Sequence, residues 1–194
     1  MQKKKIKRES GYTIIETMIA VSLFIIIVVI GMGALLNANL LHQKSQSMRS
    51  IIDNLSFVME DMSRNLRTGI TYHCIDGTAD GSSAGTNAHS CANGEGIAFK
   101  PASGGSRWVY YVGITANGYG IFKSVDGTTV QLTPDEVVIG PGTSVFSVLG
   151  AEPPSLGNSQ QPFVTIELVG TITFKNVVTP FSLRTSVSQR VIDI

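Results

Sequence analysis

Cysteine is nearly absent from this chain of 194 residues: only Cys74 and Cys91 occur, with no C-x-x-C pair and no H-x-x-x-H pair to give the spacing of a zinc centre. Neither H-E-x-x-H nor a P-loop is present, and His42, His73 and His89 stand in no catalytic frame, so no enzyme is expected. The loop composition of residues 74–96 includes Asp76-Gly77 and Asp80-Gly81 but lacks the D-x-D-x-D-G pattern of a calcium loop, which leaves turn chemistry as the better account. The formal net charge is +1, and no global basic surface argues for nucleic acid. One local absence outweighs these: between Glu16 and Lys44 there is no formal charge at all.

Within that gap residues 18–36 are apolar except for Ser22 and the two glycines, long enough to cross a bilayer, which takes about 20 residues. A secretory signal has a shorter apolar core, roughly 7–15 residues, followed by a small-x-small cleavage site. Here the apolar run continues into a further helical pattern. Lys3, Lys4, Lys5, Lys7 and Arg8 precede the span and predict a cytoplasmic N-terminus, with everything after residue 41 outside the cytoplasmic membrane. Glu16 is the anomaly, because a carboxylate at the head of a membrane helix costs a few kcal/mol without a partner.

A basic leader, Gly11, Tyr12-Thr13-Ile14-Ile15, Glu16 and an apolar helix follow one another in the order that resembles type IV prepilins and type II secretion pseudopilins. Tyr12 stands where Phe or Met is commoner, and Glu9 interrupts the basic leader. The resemblance implies a leader, residues 1–11, removed by a prepilin peptidase that cuts between Gly11 and Tyr12 and then methylates the Tyr12 amine. It implies that Glu16 pairs with the amine of a neighbouring subunit during assembly, offsetting both burial costs. The bland alternative is a single-pass anchor whose Glu16 reaches the interface. Removing the leader takes five of the 15 Lys+Arg and one of the 14 Asp+Glu, leaving ten against thirteen.

The topology bears on the cysteines. Outside the cytoplasm an even count suggests a Cys74–Cys91 bridge, and closing a loop of about 18 residues stabilises by roughly 3 kcal/mol in the chain-entropy model. A metal site from His73, Cys74, His89 and Cys91 is the rival; adjacent His73 and Cys74 are poorly placed on one ion, so no metal and no cofactor is expected.

Met48, Ile51, Ile52, Leu55, Val58, Met59, Met62 and Leu66 recur at helical spacing, opposite Arg49, Asp53, Glu60, Asp61, Arg64 and Arg67. One helix over residues 13–68 is predicted, with Gly69 as its C-cap. Gly31 and Gly33 weaken it by about 1 kcal/mol each relative to Ala. Either they are a weak point where the helix melts in a filament, or they are small residues at a helix–helix contact. Strands are predicted over 97–99, 108–112, 121–125, 129–132, 137–139, 144–149, 163–174 and 181–192, with Asp126-Gly127 as a tight hairpin turn. Alternation of Val164, Ile166 and Leu168 with Thr165, Glu167 and Val169 gives the sheet one face for the helix.

The expected fold class is α+β and pilin-like, a long N-terminal membrane-spanning helix packed at its C-terminal half against an antiparallel sheet. The expected divisions are residues 1–11 (leader), 12–43 (membrane and assembly half of the helix), 44–69 (amphipathic half), 70–95 (disulfide-closed connecting loop) and 96–194 (sheet domain). Residues 54–64 and 183–190 look similar to J-type pseudopilins and W-type minor pilins, and a bridge just after the helix favours a minor subunit. The implied partners are the prepilin peptidase/methyltransferase, other pilins or pseudopilins, an inner-membrane assembly platform and the lipid bilayer. A second hypothesis is a filament-tip adhesin or DNA receptor using Trp108, Tyr110, Tyr111 and Tyr119 as stacking groups, against which core packing is weighed more heavily. A third is an anchored extracytoplasmic domain that does not assemble.

Overall fold

The computed structural model describes residues 11–80, 82, 85–140, 142, 145–174 and 177–190. Residues 1–10 of the expected leader, and the 191–192 end of the last expected strand, lie outside them. The fold is α+β: among the described residues helix α1, Ile14–Thr68, of 55 residues, precedes ten strands that form one sheet. The chain divides into two compact units, residues 1–46 and 47–194.

In the first unit the helix starts where Thr13 accepts backbone hydrogen bonds from Glu16 (3.1 Å) and Thr17 (3.2 Å). From Gly11 to Gln43 every side chain but Val28 is exposed. The hydroxyls of Thr17 and Ser22 donate back to the carbonyls of Ile14 (2.8 Å) and Ile19 (2.9 Å). These groups therefore need nothing from the surroundings, which suits an apolar solvent. The helix is long and apolar enough to cross a membrane.

In the second unit the same helix is amphipathic. Ile51, Leu55, Val58, Met59, Met62 and Leu66 are buried, and Met48 is partly buried against the core. Ile52, expected on that face, is 41% exposed. It sits at the edge of the apolar stripe, one position past Ile51. Glu60 and Arg64 pair at 3.5 Å on the solvent side. Gly69 follows the last helical residue but does not adopt the left-handed conformation of a cap. Glycine is required there because the Phe99 ring lies 2.5 Å from where a Cβ would be. The helix-end carbonyls are met otherwise: the Tyr72 hydroxyl lies against those of Leu66 and Gly69, and the Arg190 amide donates to Arg67 at 2.8 Å.

The strands are β1 (Ile70–Ile75), β2 (Cys91–Gly94), β3 (Gly96–Lys100), β4 (Trp108–Thr115), β5 (Gly118–Val125), β6 (Thr128–Gln131), β7 (Val137–Ile139), β8 (Phe146–Leu149), β9 (Phe163–Phe174) and β10 (Val177–Ser188). They pair antiparallel in the order β1-β3-β4-β5-β7-β9-β8-β2, with β6 added to β5 and β10 to β9. Asp126 (φ 51°) and Gly127 (φ 78°) make the β5–β6 turn, the positive pair that a two-residue hairpin demands. The inner face of β9 (Val164, Ile166, Leu168) joins Phe99, Tyr110, Ile121 and Phe146 around the buried helix residues.

Two strands fall within residues 70–95, expected to be a connecting loop. β1 begins directly after Gly69, and β2 pairs with β8 through Cys91↔Val148 and Gly94↔Phe146. β10 also starts earlier than expected, at Val177, running through Pro180. Among the described residues β10 pairs only with β9, and on the other side of the strand a missing N–H costs no ladder bond.

Candidate functional site

The N-terminal segment carries the expected processing and assembly residues. Gly11, Tyr12 and Thr13 precede the helix in non-helical conformation, and Tyr12 is 82% exposed. Among the described residues no heavy atom lies within 4 Å of where a Gly11 Cβ would be. Glu16 is exposed in the first helical turn, where the unpaired amides of a helix N-terminus favour negative charge. Among the described residues it has no ion-pair partner. Gly31 and Gly33 lie inside an unbroken helix, with open space at both positions. Among the described residues no contact requires glycine at either.

Cys74 and Cys91 form a disulfide, Cα atoms 5.7 Å apart. It joins the two ends of the strand path. His73 and His89 form an isolated parallel bridge, Cys74 N donates to His89 O (2.9 Å) and His89 N to Tyr72 O (2.9 Å). The strands thus make a closed circuit, a junction that the loop-like composition around it concealed. His73 and His89 are brought together, ring centroids 5.6 Å apart, but the His73 Nδ1 lies 2.7 Å from Asn87 O while His89 Nε2 faces Asp76 Oδ2 at 3.6 Å. Sequence spacing gave no signal for Asp76 as a member of this cluster.

The same junction is held from the loop before β9. The Ser90 amide and hydroxyl donate to the two Glu152 carboxylate oxygens (2.7 and 2.6 Å), and Ala151 N donates to Ser90 Oγ (2.9 Å). The Ser90 side-chain hydrogen bond is the main reason the Glu152 carboxyl sits below its ordinary range.

The aromatic residues do not form one stacking platform. Tyr110 is fully buried, its hydroxyl accepting from Asn65 Nδ2 at 2.9 Å, and burial pushes its pKa up. Trp108 is half-buried, with Lys123 Nζ 4.0 Å from its ring centre and Phe99 against its edge. Tyr111 stacks on Phe122. It lines, with Tyr119, a cavity of about 470 Å³ that also touches Asp80 and Glu95.

The string Gly81-Ser82-Ser83-Ala84-Gly85 has the form G-x-S-x-G, with Ser83 outside the described residues. A nucleophile of that kind needs a strand before it and a helix after it. Among the described residues β1 ends at Ile75 and the next element is β2.

No protein-family model, no curated protein and no solved structure matches this chain.

Proposed function

We propose that the chain is a minor pilin or pseudopilin of a type IV filament system, cut after Gly11, methylated at Tyr12 and assembled through its apolar helix. The carrying observation is Glu16: one carboxylate, without an ion-pair partner among the described residues, at the head of an exposed and otherwise uncharged apolar helix. A membrane helix that only anchors gains nothing from that charge. A helix that docks against the free amine of a neighbour gains a partner for it.

Supporting features are the glycine five residues ahead of Glu16 and the two halves of α1, one exposed and apolar, the other packed into a sheet. In this reading the N-terminus is cytoplasmic, residues 44–194 are extracytoplasmic, and the sheet domain sets the neighbours.

The test is the intact mass and N-terminal residue of the protein extracted from membranes of cells with and without a prepilin peptidase. A chain that begins at methylated Tyr12 only when the peptidase is present is the expected result. A chain beginning at Met1 in both would sink the proposal. A Glu16→Ala chain should still insert and be cut but fail to enter filaments; an anchor without assembly would keep its role.

A further inference from the structure

We propose that the outer edge of β10, residues 182–188, is a strand-addition site that takes an extended acidic segment of a different chain. The direction of its backbone groups follows from the ladder. Glu167 stands opposite Arg184, yet its amide donates to Val145 O (2.8 Å), on the side of β9 away from β10. Glu167 and Arg184 are therefore a non-hydrogen-bonded pair, and the Arg184 N–H and C=O point outward. Gln189 has the other parity, its amide donating inward to Pro162 O at 3.0 Å. Ser182, Arg184, Ser186 and Ser188 thus each turn an N–H and a C=O away from β9, with no backbone partner among the described residues. Both ends of this window are bounded. Pro180, of the same parity, has no N–H to offer, and the Arg190 amide is taken by Arg67 O.

A groove runs beside the edge. Met59 and Ser63 of α1, with Leu183 and Thr185 of β10, line a cavity of about 380 Å³. A strand added to β10 would turn alternate side chains to that face, and an apolar one fits between Met59 and Leu183.

Charge selects the partner. Glu60 and Glu167 are each matched by one arginine, Arg64 at 3.5 Å and Arg184 at 3.9 Å. Arg67 and Arg190, whose backbones meet at the end of the window, have exposed side chains and no ion-pair partner among the described residues. Four arginines thus stand against two glutamates, a surplus that favours carboxylates on the incoming strand. A second copy of this edge would bring the same arginines together, and like charges across a strand pair repel. The surface is independent of processing at Gly11.

The probe is a short fluorescent peptide alternating valine and glutamate, added to the full chain in micelles of an uncharged detergent. Paired antiparallel, its valines would face the groove and its glutamate amides would face β10. Anisotropy should rise to saturation. Hydrogen exchange should slow at Ser182, Arg184, Ser186 and Ser188 but not at Leu183, Thr185 and Val187, whose amides β9 already holds. Lysine in place of the peptide's glutamates, or Arg67→Glu in the protein, should weaken binding roughly tenfold or more. Methylating the glutamate amides should abolish binding, whereas methylating the valine amides should not; neither change touches the protein. Ser186→Pro removes an outward N–H and no bond to β9, so near-UV dichroism should match the parent's while binding is lost. No binding of the acidic peptide, equal binding of the lysine peptide, or indifference to which amides are methylated would each overturn the proposal. So would self-association of the chain that Ser186→Pro dissolves, since the occupant would then be a second copy.

Discussion

Residues 14–46 and 47–68 belong to one helix and solve the same problem in opposite ways. The first stretch leaves Ile14, Phe24, Ile27, Leu35 and Leu41 more than 60% exposed. The second buries Leu55, Met62 and Leu66 completely. Burial in the second stretch follows a stripe three and four residues apart, and the sheet supplies the cover. The first stretch has no stripe, because apolar residues run all round it, and so no single protein face can satisfy it. The difference teaches that the apolar residues of α1 fall into two classes, one covered by the chain's own sheet and one left exposed on a stretch apolar enough to cross a membrane.

That contrast can be broken at its strongest point. Leu55→Ala should cost the sheet domain about 2–5 kcal/mol, from lost burial plus the cavity left behind. Leu23→Ala, in the first stretch, should leave domain melting unchanged. Near-UV dichroism of the full chain in detergent measures both, and equal losses would erase the distinction between the stretches.

The next effect is covalent. Cys91→Ser should remove roughly 3 kcal/mol of loop-closure stabilisation and raise amide exchange in β1 and β2. Exchange in residues 14–46 should not respond. Tyr72→Phe strips the hydroxyl from the carbonyls at the end of α1, and denaturant unfolding should report a loss of about 1–3 kcal/mol.

The smallest effect is a pH dependence. Since Ser90 holds the folded Glu152 carboxyl below the ordinary glutamate range, its contribution is complete above the unfolded pKa and disappears as pH falls through the depressed value. Glu152→Gln should therefore lower stability at neutral pH and flatten the acid limb of a melting series. A mutant curve parallel to the parent's across that acid range would remove Glu152 from the account.

The second stretch of α1 was legible because its apolar spacing has one period, and the strand over residues 163–174 because Val164, Ile166 and Leu168 alternate with Thr165, Glu167 and Val169. Asp126-Gly127 announced its turn through the two residues that best tolerate positive φ. β2 was illegible: Cys91-Ala92-Asn93-Gly94 carries no strand propensity and is held by β8, more than fifty residues away. β1 was hidden differently, since Ile70–Ile75 follows the helix with only Gly69 between. The burial of Tyr110 could not be read either, because strand aromatics look alike in sequence whichever face they take. Of the candidate site, Glu16 and Gly11 stood out by what surrounds them in sequence, while Asp76 joined Cys74, His89 and Cys91 only through strand register.

The one-residue junction at Gly69 has a mechanical consequence. A pull on the helix passes at once into β1 and, five residues on, reaches Cys74, where the disulfide hands the load to Cys91. The covalent path of the load then bypasses residues 75–90. The domain would resist such a pull first through the strand pairs β1–β3 and β2–β8, each loaded from its own covalent end.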